Sequence, residues 1–158
     1  MTKVMPDMQQ VAIWAYRAAG AGLAIALMEA LAQFAGEPVL RVPFVTSIVL
    51  TLALPESEPA QPYALIAGHL LSTLAGLVAL WCLGPGTTAA AVGVGLATLL
   101  MLAARALHPP AGIDGFLVPL LGLPSSWILN PVLCGAVMLA VYSRLWALGE
   151  KRLLHRRL

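Results

Sequence analysis

Residues 105–112 read RALHPPAG, so a guanidinium, an imidazole and two consecutive prolines close a long apolar run. In comparably apolar surroundings stand His69, Gln61, Asn130, Thr46 and Ser47. These side chains offer N–H and O–H donors, one permanent cation in Arg105, and imidazoles whose reference pKa of about 6.5 suits them to carry protons. Recognition and passage of a small monovalent anion is the chemistry they fit, because few acids would repel it. The acids at membrane depth are Glu29 and Asp114. An ionisable group there is costly unless it is paired or meets water, and so is a functional candidate by default. A structural reading stands beside the functional one with equal weight: Arg105 snorkels to the interface, His69 bridges helices, Glu29 finds a donor across the bundle, and Asp114 caps the next segment or pairs with Arg105. No metal-ligand spacing and no nucleophile–base pair stands out, so neither an enzyme nor a metal or cofactor is expected.

Composition decides what holds these residues. Of 158 residues, 60% are hydrophobic and 10% charged, where a soluble domain has about a quarter charged. With a mean hydropathy of +0.89, the chain reads as an integral membrane protein, its partner the lipid bilayer and not nucleic acid. Cys82 and Cys134 lie within apolar runs and read as small buried hydrophobes. The tail 149–158 is basic, which places the C-terminus in the cytoplasm, and the first apolar stretch reads as a retained span.

Runs able to cross about 30 Å of hydrocarbon occur at residues 11–35, 62–83, 87–107 and 127–148. Two shorter apolar pieces, 39–54 with Arg41 and Pro43 and 112–122 with Asp114 and Pro119, separate them. The expected fold is an all-α membrane protein, one domain over 1–158, with four full transmembrane helices and broken or re-entrant segments, or five helices if 39–54 crosses. Each half, 11–83 and 87–148, reads long helix, short piece, long helix, which suggests a two-fold internal repeat. Either topology puts the PESEPAQ loop and the corner 105–111 on the side opposite the C-terminus.

The prolines and glycines set the corners. Pro109 and Pro110 lack an N–H, and Pro109 drives His108 out of the helical region, so the third span should end at or near His108. Gly112 and Gly115 allow a tight reversal, and Gly68 a close helix contact. Helices that restart at Pro62 and Pro131, after Gln61 and Asn130, present unpaired N–H groups of the kind that receive anions in broken membrane helices.

Three blocks resemble the HPP family of small integral membrane proteins: ALHPPAG, PFVTSIVLTLALPESEPAQPYALIAGHLLSTLAG and NPVLCG. The resemblance covers about residues 39–142, and its signature falls on His108, Pro109 and Pro110, with a Gln-Pro at Gln61 and Pro62 and a Gly-His at Gly68 and His69. It implies four transmembrane helices, and nitrite transport by analogy with plastid and cyanobacterial members. Tyr63 stands where the family often has arginine, and Val45 to Ser47 where it often has Gly-Ala-Ser. A transporter of a small anion, nitrite first, in the bacterial inner membrane is therefore expected, with homo-oligomers of two to four copies. A channel for the same anion and a non-transporting scaffold or regulatory subunit are the alternatives.

Overall fold

Asp7 and Gln10 start the first helix reciprocally, each side chain accepting the other's backbone N–H, at 2.7 and 3.2 Å. The computed structural model describes residues 6–35 and 43–155 and contains six α-helices among them. They are α1 (Met8–Ala35), α2 (Val45–Ala53), α3 (Pro62–Leu83), α4 (Thr87–Ala103), α5 (Gly112–Leu121) and α6 (Cys134–His155). Proline occupies the first position of α3, where its missing N–H costs nothing, and the α3–α4 turn uses Gly84 and Gly86 at positive φ.

Among the described residues, three segments are long and apolar enough to cross a membrane: Met8–Ala30, Pro62–Leu83 and Ser125–Arg152. Thr87–Ala103 and Pro109–Leu121 are shorter apolar helices. The outward faces carry Trp14, Trp81, Leu99, Val141 and Leu145, all exposed, as a lipid-facing surface requires. The chain is an all-α, multi-helix membrane protein. Cys82 and Cys134 also face outward, contrary to the buried positions expected of them.

Contacts fix the helix directions. Arg17 grips Glu150 through two bonds of 2.8 and 2.9 Å and donates to the Ala53 carbonyl at 3.0 Å. Farther along α1, Ala24 and Met28 pack with Ile48 and Leu139. Thus α1 runs antiparallel to both α2 and α6. Tyr63, in the first turn of α3, donates to the Ala104 carbonyl at 3.0 Å, so α4 returns beside it. Residues 104–121 then climb back along this pair until the Gly86 N–H meets the Pro119 carbonyl at 3.0 Å.

The second short piece was expected to return by the face it entered; it instead runs the whole length of the α3–α4 pair. Gly112, assigned to a reversal, has φ −53 and simply opens α5 after the short 3-10 turn Pro109–Ala111. The first piece includes residues 36–42 and Arg41, which lie outside the described residues; its helix α2 descends to the Arg17 end. There Glu56 approaches Lys151 at 3.8 Å and Gln61 accepts from Arg144 at 2.9 Å. The 55–61 loop and the 105–111 corner therefore share one end with the C-terminal half of α6, where the sequence reading had separated them. The PESEPAQ loop holds only acidic residues, which orient little, and the sequence reading let alternating spans outweigh Arg105.

Helices α3, α4 and α5 form the tightest group. Glycines permit it: a Cβ at Gly115 would lie 3.0 Å from the Gly93 carbonyl and 3.1 Å from the Ser72 hydroxyl, which accepts the Gly115 N–H. Gly112 has open space around it. Gly115→Ala should therefore lower the thermal unfolding temperature in detergent by the equivalent of about 1–3 kcal/mol. Gly112→Ala should leave it unchanged or raise it slightly.

Candidate functional site

Four side chains from four segments meet at mid-bundle. His69, in the second turn of α3, places Nδ1 2.6 Å from Asp114 Oδ2, in the first turn of α5. Its Nε2 lies 2.9 Å from the Ser47 hydroxyl on α2. The same hydroxyl lies 2.9 Å from Nε2 of His108, whose Nδ1 donates to the Pro59 carbonyl at 2.6 Å. Ser47, His69, His108 and Asp114 are each fully buried. A continuous chain of hydrogen bonds thus links the α5 carboxyl group to the 55–61 loop.

Local features hold each member in place. A Cβ at Gly68 would come within 2.8 Å of His108 Cβ and 3.1 Å of the Ala106 carbonyl, so only glycine lets residues 106–108 lie against α3. The Phe44 ring covers His69 at a centroid distance of 4.7 Å, and the two imidazoles stand 5.2 Å apart. Thr51 and Thr73 return their hydroxyls to the carbonyls of Ser47 and His69, both at 2.8 Å, which satisfies these two donors within their own helices. Asp114 Oδ1 is buried with no partner among the described residues.

Other expected site residues lie elsewhere. Arg105 is exposed and does not join Asp114, which pairs with His69. It sits at φ 52, where it ends α4: the Ala106 N–H reaches the Met101 carbonyl at 2.9 Å and its own N–H reaches Leu102 at 3.1 Å. This is a Schellman closure with arginine at the position usually held by glycine. It stops the helix at Ala103, before the prolines act. Gln61 braces the 55–61 loop through the Pro55 and Ser57 carbonyls, both at 3.0 Å. Thr46 faces outward on α2, and Asn130 is exposed beside the cis bond to a buried Pro131. Glu29 accepts from Gln33 at 3.0 Å, one turn along α1.

The His108 ring is fully buried. A cavity of about 250 Å³ does open at the basic end, lined by Thr51, Ser143, Arg144, Lys151 and Glu56. Thr51 lies one helical turn from Ser47. Arg144 had not been singled out from the sequence; its distance of 83 residues from Gln61 hid the pairing. Asp114 was recognised as ionisable, with a cap of the next segment or a pair with the nearer Arg105 as its expected roles.

Over residues 6–153 the chain matches the family described as HPP, transmembrane region. It belongs to this family. A transmembrane protein of Dictyostelium discoideum is 34% identical over 149 residues, taking in 85% of this chain and 50% of that protein. The HPP chain thus spans about half the length of that relative. No solved structure gives a significant match.

For this HPP protein, Arg105→Gly should raise stability by about 1 kcal/mol, since glycine adopts the left-handed region without strain. Thermal unfolding in detergent checks this; a marked loss would show that the guanidinium has a stabilising partner.

Proposed function

We propose that this HPP protein transports a small monovalent anion together with protons, with nitrite the first candidate through the family resemblance. The observation that carries the reading is the buried chain from Asp114 to His108 at the point where two interrupted segments pass each other. Ionisable groups at membrane depth are costly enough to imply use, and broken segments there are a recurrent design of carriers. Asp114 stands beside the histidines, so an anion is tolerated near them only when a proton offsets the carboxylate. That favours joint movement of anion and proton.

The helix packing supports a carrier over an open channel. Each contact in the tight trio has a looser counterpart: α4 on α5 and α1 on α2, α3 on α5 and α6 on α2, α3 on α4 and α6 on α1. We read this as an inverted repeat of α1–α3 and α4–α6, whose rocking would expose the centre to either face. Among the described residues, every Lys and Arg lies at the end holding the 55–61 loop: Arg17, Arg105, Arg144, Lys151 and Arg152. By the positive-inside tendency that end is cytoplasmic, in a bacterial inner membrane, and the Arg144 cavity is the inner vestibule.

A second reading has its own observation. Ser47, His69 and Asp114 are connected as in an acyl-transfer triad, hydroxyl to Nε2 and Nδ1 to carboxyl. His108 occupies the other side of the hydroxyl, where a carbonyl would have to approach, and this places transport ahead of catalysis. Labelling of Ser47 by a fluorophosphonate would reverse that order.

Purified protein in vesicles should take up nitrite faster than chloride under an inward proton gradient, with nitrate and formate as comparators. His108→Ala should cut this flux by about tenfold while folded protein persists. Undiminished nitrite flux in that variant, or no flux of any anion in the parent protein, would contradict the proposal.

A further inference from the structure

We propose that the closed crossing binds one proton, shared along Asp114, His69, Ser47 and His108, and that its loss opens the crossing. The chain has four contacts, from Asp114 to His69, His69 to Ser47, Ser47 to His108, and His108 to the Pro59 carbonyl. Each needs one hydrogen between its two heavy atoms. The Pro59 carbonyl only accepts, so His108 Nδ1 carries a hydrogen. Ser47 has a single hydroxyl hydrogen and fills one of its two contacts; a histidine Nε2–H must fill the other.

Two neutral imidazoles and one hydroxyl supply three hydrogens, and the fourth is an added proton. With the Ser47 hydroxyl pointing at His108, that proton lies between Asp114 and His69. When the hydroxyl turns toward His69, the proton belongs to a doubly protonated His108, and His69 donates to the carboxylate. All these forms are electrically neutral overall and differ only by proton transfers along existing hydrogen bonds, each N–H or O–H bond broken being replaced by one formed on its partner, so no bond between heavy atoms changes.

Without the added proton the cluster carries a buried negative charge, and two lone pairs face each other across a 2.9 or 2.6 Å contact. The carboxylate already has one bare oxygen at Oδ1. Among the described residues none offsets the charge. Helix α4 has no titratable side chain, and α3 faces the cluster with only His69, Ser72 and Thr73. Arg144, Glu150 and Lys151 on α6 are engaged with Gln61, Arg17 and Glu56. From α2 come Ser47 and Thr51, and on α1 Glu29 is bonded to Gln33. In the 55–61 loop, Glu56 and Glu58 are exposed. Deprotonation is therefore relieved only by admitting water, which means separating α2 from the 104–111 segment.

The use of this proton in coupling rests on the transport reading, but its existence does not, and the test makes no use of an anion. Amide hydrogen–deuterium exchange would be followed by mass spectrometry on the full chain in lipid nanodiscs, over about pH 5 to 9 and corrected for intrinsic rates, in residues 45–52 and 104–111. Wild-type protection should fall by about tenfold per pH unit above the transition, the slope of one linked proton. Asp114→Asn should give flat, high protection, because the amide donates to His69 Nδ1 and completes all four contacts without titrating. Ser47→Ala, which removes the need for the fourth hydrogen and leaves only the burial of the carboxylate to favour the proton, should show a weaker slope than the wild type, and it serves if the asparagine variant does not fold. Flat protection in the wild type, or a wild-type slope in either variant, would overturn the inference even with anion flux intact. Absence of flux with the slope present would instead overturn the transport reading.

Discussion

A serine hydroxyl has one hydrogen to give, and Ser47 is asked to satisfy two imidazoles. This shortage organises the centre of the molecule. It leaves the hydroxyl to serve one imidazole at a time, while His108 Nδ1 stays committed to the Pro59 carbonyl, and makes the two histidines dependent on each other although they never touch by a hydrogen bond. In water the deficit would be met by solvent. In a fully buried crossing it can be met only by a proton or by rearrangement, which joins protonation to conformation through elementary hydrogen-bond accounting.

The bilayer imposes the second constraint. Interrupted backbone inside hydrocarbon needs local partners, and the 104–111 segment obtains them from α3 and α2 and from its own short turn. Close approach is what makes these partners reachable, and it follows from missing side chains: Gly68 admits residues 106–108, while Gly76, Gly93 and Gly115 bring three helices into backbone contact. Small residues that seem to say only that helices pack thus determine where the polar chain lies.

Sequence patterns revealed the long elements where punctuation was conventional. Helix α3 runs over Pro62–Leu83, the span read from a proline at its start and a glycine after its end. Helix α4 stops four residues earlier than read, because its closure uses an arginine in a conformation that pattern recognition assigns to glycine. Ser47 and Thr46 were indistinguishable as hydroxyl donors; about 100° of helix rotation separates them, and only the packing of Ile48 and Leu52 shows which one turns inward. His69 and His108 were both identified from the cost of burying them, but their joining through Ser47 depends on contacts across 22 and 61 residues. Local reasoning favours near neighbours, so a helix cap or an arginine nine positions away was weighed for Asp114, whose partner is 45 away.

The distribution of the polar chain between the two groups of helices has a mechanical consequence. His69, Asp114 and His108 belong to the closely packed side built on α3, α4 and α5, whereas Ser47 alone comes from α2, on the looser side with α1 and α6. A shear between the sides would break both serine bonds in one stroke and leave the histidine–carboxyl pair riding intact with its own side. The seam therefore crosses the polar chain at a single oxygen atom.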